Sequence, residues 1–296
     1  MIEFSTDALV MSESLLINSV VWVRSLPEHE LGPTRRILED LSSQELANGF
    51  KVFEFEISTR AEFVDLMRRL SEDAVSGLRP ILHIDAHGSE QDGLVLAPSG
   101  ERVTWPELID GLRGLNKATE NNLVCVLALC FGLHGYKEVS LSKAVPAYLF
   151  SAPEKEVSVG FLESETAEFY RLANETGNVT SAFTQTLGSQ MISFHCQGLF
   201  FQALLRYVRA HCSNKDRQQR LERLVTEALK QQQNTQPTSG ELKELRNQIK
   251  RLLVPGQHII DHFAPTFLIG RQALFSYSDI QRILDKDYPG HNAIKS

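Results

Sequence analysis

The sequence predicts an α/β fold: a mostly parallel sheet flanked by helices, followed by a helical C-terminal extension. Three observations carry the prediction. Strand-like and helix-like stretches alternate from residue 15 onward. Two short apolar runs, at 81–86 and 123–130, have the length and composition of strands buried on both faces. After residue 212 the chain turns into charged, amphipathic segments around a polar linker.

Each element follows from its own pattern. Residues 15–24 (Leu-Leu-Ile-Asn-Ser-Val-Val-Trp-Val-Arg) read as a first strand, mostly apolar and rich in β-branched residues. A helix is expected from Thr34 to Ala47, with Ile37, Leu38, Leu41 and Leu46 near helical spacing and Asn48-Gly49 as its stop. Residues 50–57 form a second strand, and Ser58 or Thr59 caps a helix with the stripe Phe63, Leu66, Leu70. The third strand is Arg79-Pro-Ile-Leu-His-Ile-Asp-Ala-His-Gly88, with Pro80 at a tolerated first position. Its period of two puts His83, Asp85 and His87 on one face and Leu82, Ile84 and Ala86 on the other. Gly88 ends the run with a residue that permits a turn and a close approach.

A polar loop at 89–93 and a small hairpin at 94–103 come next. Thr104 starts a helix to about Leu115, with Pro106 in the first turn and Glu107 placed for a capping box. The fourth strand, Leu123-Val-Cys-Val-Leu-Ala-Leu-Cys130, ends in Phe131-Gly132. A fifth strand at 147–151, a short edge piece at 157–159 and a helix at 163–172 follow. Residues 180–212 read as a long apolar helical stretch with breaks at Gly188 and Gly198. His195, Gln197, Gln202 and Arg206 make it a core helix and not a membrane span.

The division expected is 1–212 for the α/β domain and 213–296 for the extension. In the extension, Leu221, Leu224, Val225, Ala228 and Leu229 stripe one helix, and Leu242, Leu245, Ile249 and Leu252 another. The Gln-rich linker 231–240 between them is a candidate regulatory or self-cleaved loop. The pair at 213–252 is expected to be a solvated hairpin, with docking of an activating or regulatory protein as the second reading. The segments at 258–269 and 274–283 are apolar enough to fold back on the core.

Composition narrows the function. A net charge of −7 and a pI near 5.8 argue against direct nucleic-acid binding. The four cysteines, Cys125, Cys130, Cys196 and Cys212, lack C-x-x-C spacing, so neither a zinc ribbon nor a disulfide framework is expected. No signal peptide or membrane span is read, and the expected location is the cytoplasm.

Two buried strands ending in His-Gly and Cys-x-Gly suit a cysteine nucleophile and its base. A free thiol is mostly protonated at neutral pH, so a nearby imidazole is needed to generate thiolate. His87 would take the Cys130 proton and return it to the leaving amine. The stretches Ile81-Leu-His-Ile-Asp-Ala-His87-Gly88 and Val126-Leu-Ala-Leu-Cys130-Phe-Gly132 resemble the active site of caspase-like clan CD cysteine peptidases, in the CHAT and separase branch. The segment 160–183 resembles the stretch after the catalytic Cys strand in CHAT domains, and the likeness covers about 15–210.

The resemblance implies a caspase-like sheet and a Cys130–His87 dyad, with an oxyanion hole from the Gly88 and Cys130 N–H groups. It also implies regulated cleavage of a specific protein substrate, of the cell-death or defence type, without a cofactor. No third triad member is identified. Metacaspases carry an acid two residues before the Cys to hold a basic P1 side chain; here that position is Ala128. An uncharged pocket is therefore expected unless Asp85 or Glu138 supplies charge. Caspase-like selection of Asp would need arginines, and Arg79, Arg102 and Arg113 are the ones available.

Two other readings stand beside the peptidase. One is a catalytically inactive scaffold of the same fold, with Cys130 and His87 structural. The other is a metallohydrolase using His83, Asp85 and His87, since alternate strand residues can converge on one ion. Asp85, Ala128 and His83 are the residues expected to line the substrate pocket; apart from that role His83 is a hydrogen-bonded or strand-face histidine, and Asp85 orients His83 or is a buried hydrogen-bonded carboxylate.

Overall fold

The computed structural model describes residues 15–48, 51–211, 214–231 and 237–287. Gly49 and Phe50, Cys212 and Ser213, and the linker residues 232–236 lie outside the described residues. The chain divides into two compact units, 1–199 and 200–296.

The first unit alternates as expected. In chain order it runs β1 (Ser19–Ser25), α1 (Leu31–Asn48), β2 (Lys51–Glu56), α2 (Arg60–Val75), β3 (Pro80–Ser89), β4 (Gly93–Leu96) and β5 (Glu101–Val103). Next come α3 (Trp105–Ala118), β6 (Val124–Ala128), β7 (Leu149–Pro153), α4 (Val159–Thr176), α5 (Val179–Gln185) and β8 (Met191–His195). The sheet order is β2-β1-β3-β6-β7-β8, with the β4–β5 hairpin attached to β3. The first five strands of that order pair in parallel, and β8 is antiparallel to β7.

Capping residues fix the helix starts. Thr59 Oγ1 accepts the Glu62 N–H at 3.2 Å, and Glu62 accepts the Thr59 N–H at 3.1 Å. Glu107 likewise accepts the Thr104 N–H at 3.0 Å. The buried Asn116 side chain donates to Val145 O and accepts the Leu123 N–H, tying α3 to the entry of β6.

Strand alternation sorts the two faces. Val21, Val23, Leu82, Ile84, Cys125 and Leu127 pack with Phe63, Leu66 and Met67 of α2 and Leu108, Ile109 and Leu112 of α3 in one core cluster. The alternate residues Trp22, His83, Asp85 and Ala128 share a cavity with Thr34 and Ile37 of α1 and Leu162 and Thr166 of α4. From β1 the chain moves outward to β2, whereas from β3 it moves the other way to β6. That reversal places a switch point between the C-terminal ends of β1 and β3, where open α/β sheets bind ligands.

The stretch 180–212 departs from expectation. It is not one interrupted helix but α5, the edge strand β8 and α6 (Cys196–His211). Met-Ile-Ser-Phe-His at 191–195 pairs with β7, burying Met191 and His195 and placing Ser193 Oγ 3.0 Å from Ser151 Oγ. Apolar content alone does not separate a strand from a helix. No strand forms at 157–159, because Ser158 caps α4 by accepting the Phe161 N–H.

The second unit is helical: most of α6, then α7 (Asn214–Gln231), α8 (Ser239–Leu252), α9 (Gln257–Phe267) and α10 (Tyr277–Asp287). Leu221, Val225 and Ile249 form the seam of the α7–α8 hairpin. Phe200 stacks on Phe267 with ring centroids 5.1 Å apart. Among the described residues, no helix is long and apolar enough to cross a membrane.

Candidate active site

Parallel pairing brings the two motifs together. The β3–β6 register sets His83 opposite Val126 and Asp85 opposite Ala128, where the ladder ends. Two residues further along each chain lie His87, still within β3, and Cys130, just past the end of β6, and both line one cavity with Asp85 and Ala128. The contact at Gly88 confirms how close the strand ends come. A Cβ built there would lie 2.0 Å from the Cys130 carbonyl oxygen and 2.8 Å from a Leu129 methyl. Only glycine fits.

Past Cys130 the backbone turns sharply. Phe131 adopts the left-handed conformation (φ 59°, ψ 16°), and the Gly132 N–H returns to Leu129 O at 3.2 Å. A phenylalanine in that region is strained by about 1 kcal/mol or more, a feature that clusters at functional sites.

His87 and Cys130 line a cavity of about 90 Å³ on the α1–α4 side of the sheet. His87 lies at its mouth with a half-exposed side chain, whereas Trp22, His83 and Thr166 at its floor are each 1% exposed. The His83 ring stacks on Trp22 at 3.7 Å, with the Tyr170 hydroxyl 3.2 Å from Nδ1. Burial pushes its pKa down to about 3, which keeps the ring neutral at neutral pH. On the wall, Asp85 Oδ2 accepts a 2.5 Å hydrogen bond from Thr34 Oγ1. Burial pushes this carboxyl up to about 6, against the opposing pull of Thr34, His87 and Arg24, while Glu30 adds to the rise.

The His87 ring has a partner that the sequence reading did not identify. Its Nε2 lies 2.9 Å from Glu30 Oε2, on the short helical turn at 28–30 that follows β1. Among the described residues no hydrogen bond joins His87 to Cys130, whose sulfur is free and partly exposed. The available signal for Glu30 was topological, since polar residues just after the first parallel strand enter the crevice beside the third.

Other candidates lie elsewhere. Arg79 donates to Ala74 O and Leu78 O, Arg102 pairs with Asp92, and Arg113 donates to Ala144 O and Glu138 O. None of these, nor Glu138, lines the cavity. Cys125 is fully buried in the core, and burial raises its thiol pKa. Cys196 Sγ lies 3.6 Å from His195 Nδ1, but both residues are buried and neither lines the cavity. Among the described residues, no three His, Cys, Asp or Glu side chains are grouped to hold a metal ion, so His83, Asp85 and His87 do not converge as ligands.

No family model and no curated protein matches the chain. The case for chemistry at this site is therefore geometric: one partly exposed thiol, one imidazole and a carboxylate-lined cavity at the ends of two adjacent strands.

Proposed function

We propose that the protein is a cysteine endopeptidase acting through Cys130 and His87 on a specific protein partner. The observation that carries the reading is the β3–β6 register, which ends at Asp85 and Ala128 and sends both chains on to His87 and Cys130 above one cavity. His87 takes the proton from Cys130 Sγ, and the thiolate attacks the scissile carbonyl carbon. The tetrahedral oxyanion is stabilised by the Gly88 and Cys130 N–H groups. On collapse the C–N bond breaks, and His87 returns the proton to the leaving amine. Water, deprotonated by His87, then releases the acyl group and restores the thiol. The resemblance in the two motifs extends this reading to regulated proteolysis.

The substrate side chain preceding the scissile bond enters the cavity. Its lining includes Asp85, Glu30 and Glu163 but no lysine or arginine. Glu163 is paired with Arg36 and Glu30 with His87, which leaves Asp85 as the carboxylate available to a ligand. Asp85 lies beside Ala128 in register, so the acid missing at 128 is supplied one strand over. A basic P1 side chain is the reading this favours.

Peptidyl acyloxymethyl ketones with Arg, Lys, Leu or Asp at P1 test both points, with labelling mapped by mass spectrometry. The expected result is alkylation of Cys130, at least tenfold faster with Arg or Lys, and abolished in His87→Ala. Asp85→Asn should narrow the preference. Faster labelling with Asp or Leu would contradict the assigned pocket. A second reading, an interaction scaffold, is favoured by the lack of a hydrogen bond between His87 and Cys130 among the described residues. Equal and slow labelling by every probe would support it.

A further inference from the structure

Glu30 and Thr34 lie four residues apart along the helical segment that leaves β1, and they touch two residues of one strand face. Glu30 Oε2 lies 2.9 Å from His87 Nε2, and Thr34 Oγ1 lies 2.5 Å from Asp85 Oδ2. Helical residues at i and i+4 share a face and rise ~6 Å, close to the ~6.6 Å between strand residues at i and i+2. The two contacts therefore run in step, with residues 30 and 34 set against 87 and 85. Glu30 is also fixed from its own side, because its N–H donates to Pro27 O at 2.9 Å.

We propose that Glu30 is the positioning residue for His87. Its carboxylate accepts the Nε2–H, which fixes the tautomer and aims the lone pair of Nδ1 at the Cys130 thiol. This rests on the reading of Cys130 as nucleophile. Upon proton transfer the Cys130 S–H bond breaks and an Nδ1–H bond forms. Glu30 remains ionised, the proton stays on Nε2 and is donated to its carboxylate, and that negative charge stabilises the imidazolium. The pair needs no great stability of its own. Exposed ion pairs contribute little to folding, whereas the orientation of a catalytic imidazole decides whether a proton can move.

Other charges near Asp85 and Glu30 enter any pH profile. Asp85 lies on β3 itself, Arg24 on β1 acts on Asp85, and His29 Nε2 is 3.5 Å from Glu30 Oε1. On α4, Glu163 lines the same cavity but is neutralised by Arg36 of α1.

The test is the rate of Cys130 alkylation by iodoacetamide from pH 5 to 10 on the full chain, read by peptide mass spectrometry. Wild type, Glu30→Ala, Glu30→Gln, Glu30→Asp and His87→Ala are compared, with thermal unfolding of each. In wild type alkylation at pH 7 should run faster than in His87→Ala, because the imidazole generates thiolate. Glu30→Ala should slow alkylation at pH 7 about tenfold and move the profile toward that of His87→Ala, with little change in Tm. Glu30→Gln keeps the shape without the charge and should fall between, and Glu30→Asp should restore most of the wild-type profile. If both Glu30→Ala and Glu30→Gln overlay wild type while His87→Ala shifts, the proposal is overturned and the dyad stands. If His87→Ala also overlays wild type, the nucleophile reading fails and the role of Glu30 falls with it.

Discussion

Asp85 is the residue in which burial and function conflict most directly. Its carboxyl rises from the ordinary 3.8 to about 6, chiefly through desolvation. The folded protein therefore holds a proton that the unfolded chain releases between about pH 4 and pH 6. Stability from this group is fully present below the unfolded value and is lost as pH rises through 6. The shift alone corresponds to about 3 kcal/mol. Because the carboxyl borders a cavity open to water, we expect a loss on the order of 2 kcal/mol. Asp85→Asn can keep the Thr34 hydrogen bond without the charge. Urea unfolding should find the variant more stable by that amount at pH 7.5 and equal to wild type near pH 4; a constant difference across the range would contradict the burial argument. His83 has the opposite sign. Its lowered pKa destabilises the fold as pH falls from 6.5 toward 3, so comparison with the variant isolates Asp85 from the wild-type curve.

At the scale of elements, the site depends on β3 and β6 ending side by side. A methyl group at Gly88 would meet the Cys130 carbonyl oxygen at 2.0 Å, and that oxygen belongs to backbone. Gly88→Ala must therefore part the two strand ends. Since a displacement near 1 Å can cost about 100-fold in a positioned reaction, Cys130 alkylation at pH 7 should drop toward that of a free thiol. Far-UV circular dichroism should stay native, because the packed core of β3 lies upstream; an unchanged alkylation rate would show that the close approach is not needed. The two strands and their facing side chains were legible because β3 combines a short apolar run with strict alternation, but their ends were not: β3 runs past Gly88 to Ser89, where it pairs with β4, and β6 stops at Ala128, short of Cys130 and Gly132. Strand β8 was not legible, since five residues between two helices carry no period long enough to oppose the apolar helical pattern around them. Glu30 escaped for another reason: its partner is 57 positions away, and nothing local distinguishes it from Glu28.

For the whole molecule, the sheet order places the candidate chemistry. The reversal between β1 and β3 opens a crevice at their C-terminal ends, and Glu30 from the turn after β1, Asp85 and His87 from β3, and Cys130 from the chain after β6 all reach it within the first unit. The helical unit at 200–296 contains its own leucine seam and phenylalanine cluster, and the proposed site draws on none of its residues. Periodicity disclosed the layers and the strand face that carries the histidines; the pairing of one loop with another could emerge only from the three-dimensional register. The account stands on whether Cys130 cuts peptide bonds. The most direct measurement is mass spectrometry of a diverse peptide library after incubation with wild type and with Cys130→Ala. The account predicts cleavage by wild type alone, with a basic residue on the N-terminal side of the cut. A library left intact by wild type, or cut equally by Cys130→Ala, would contradict it.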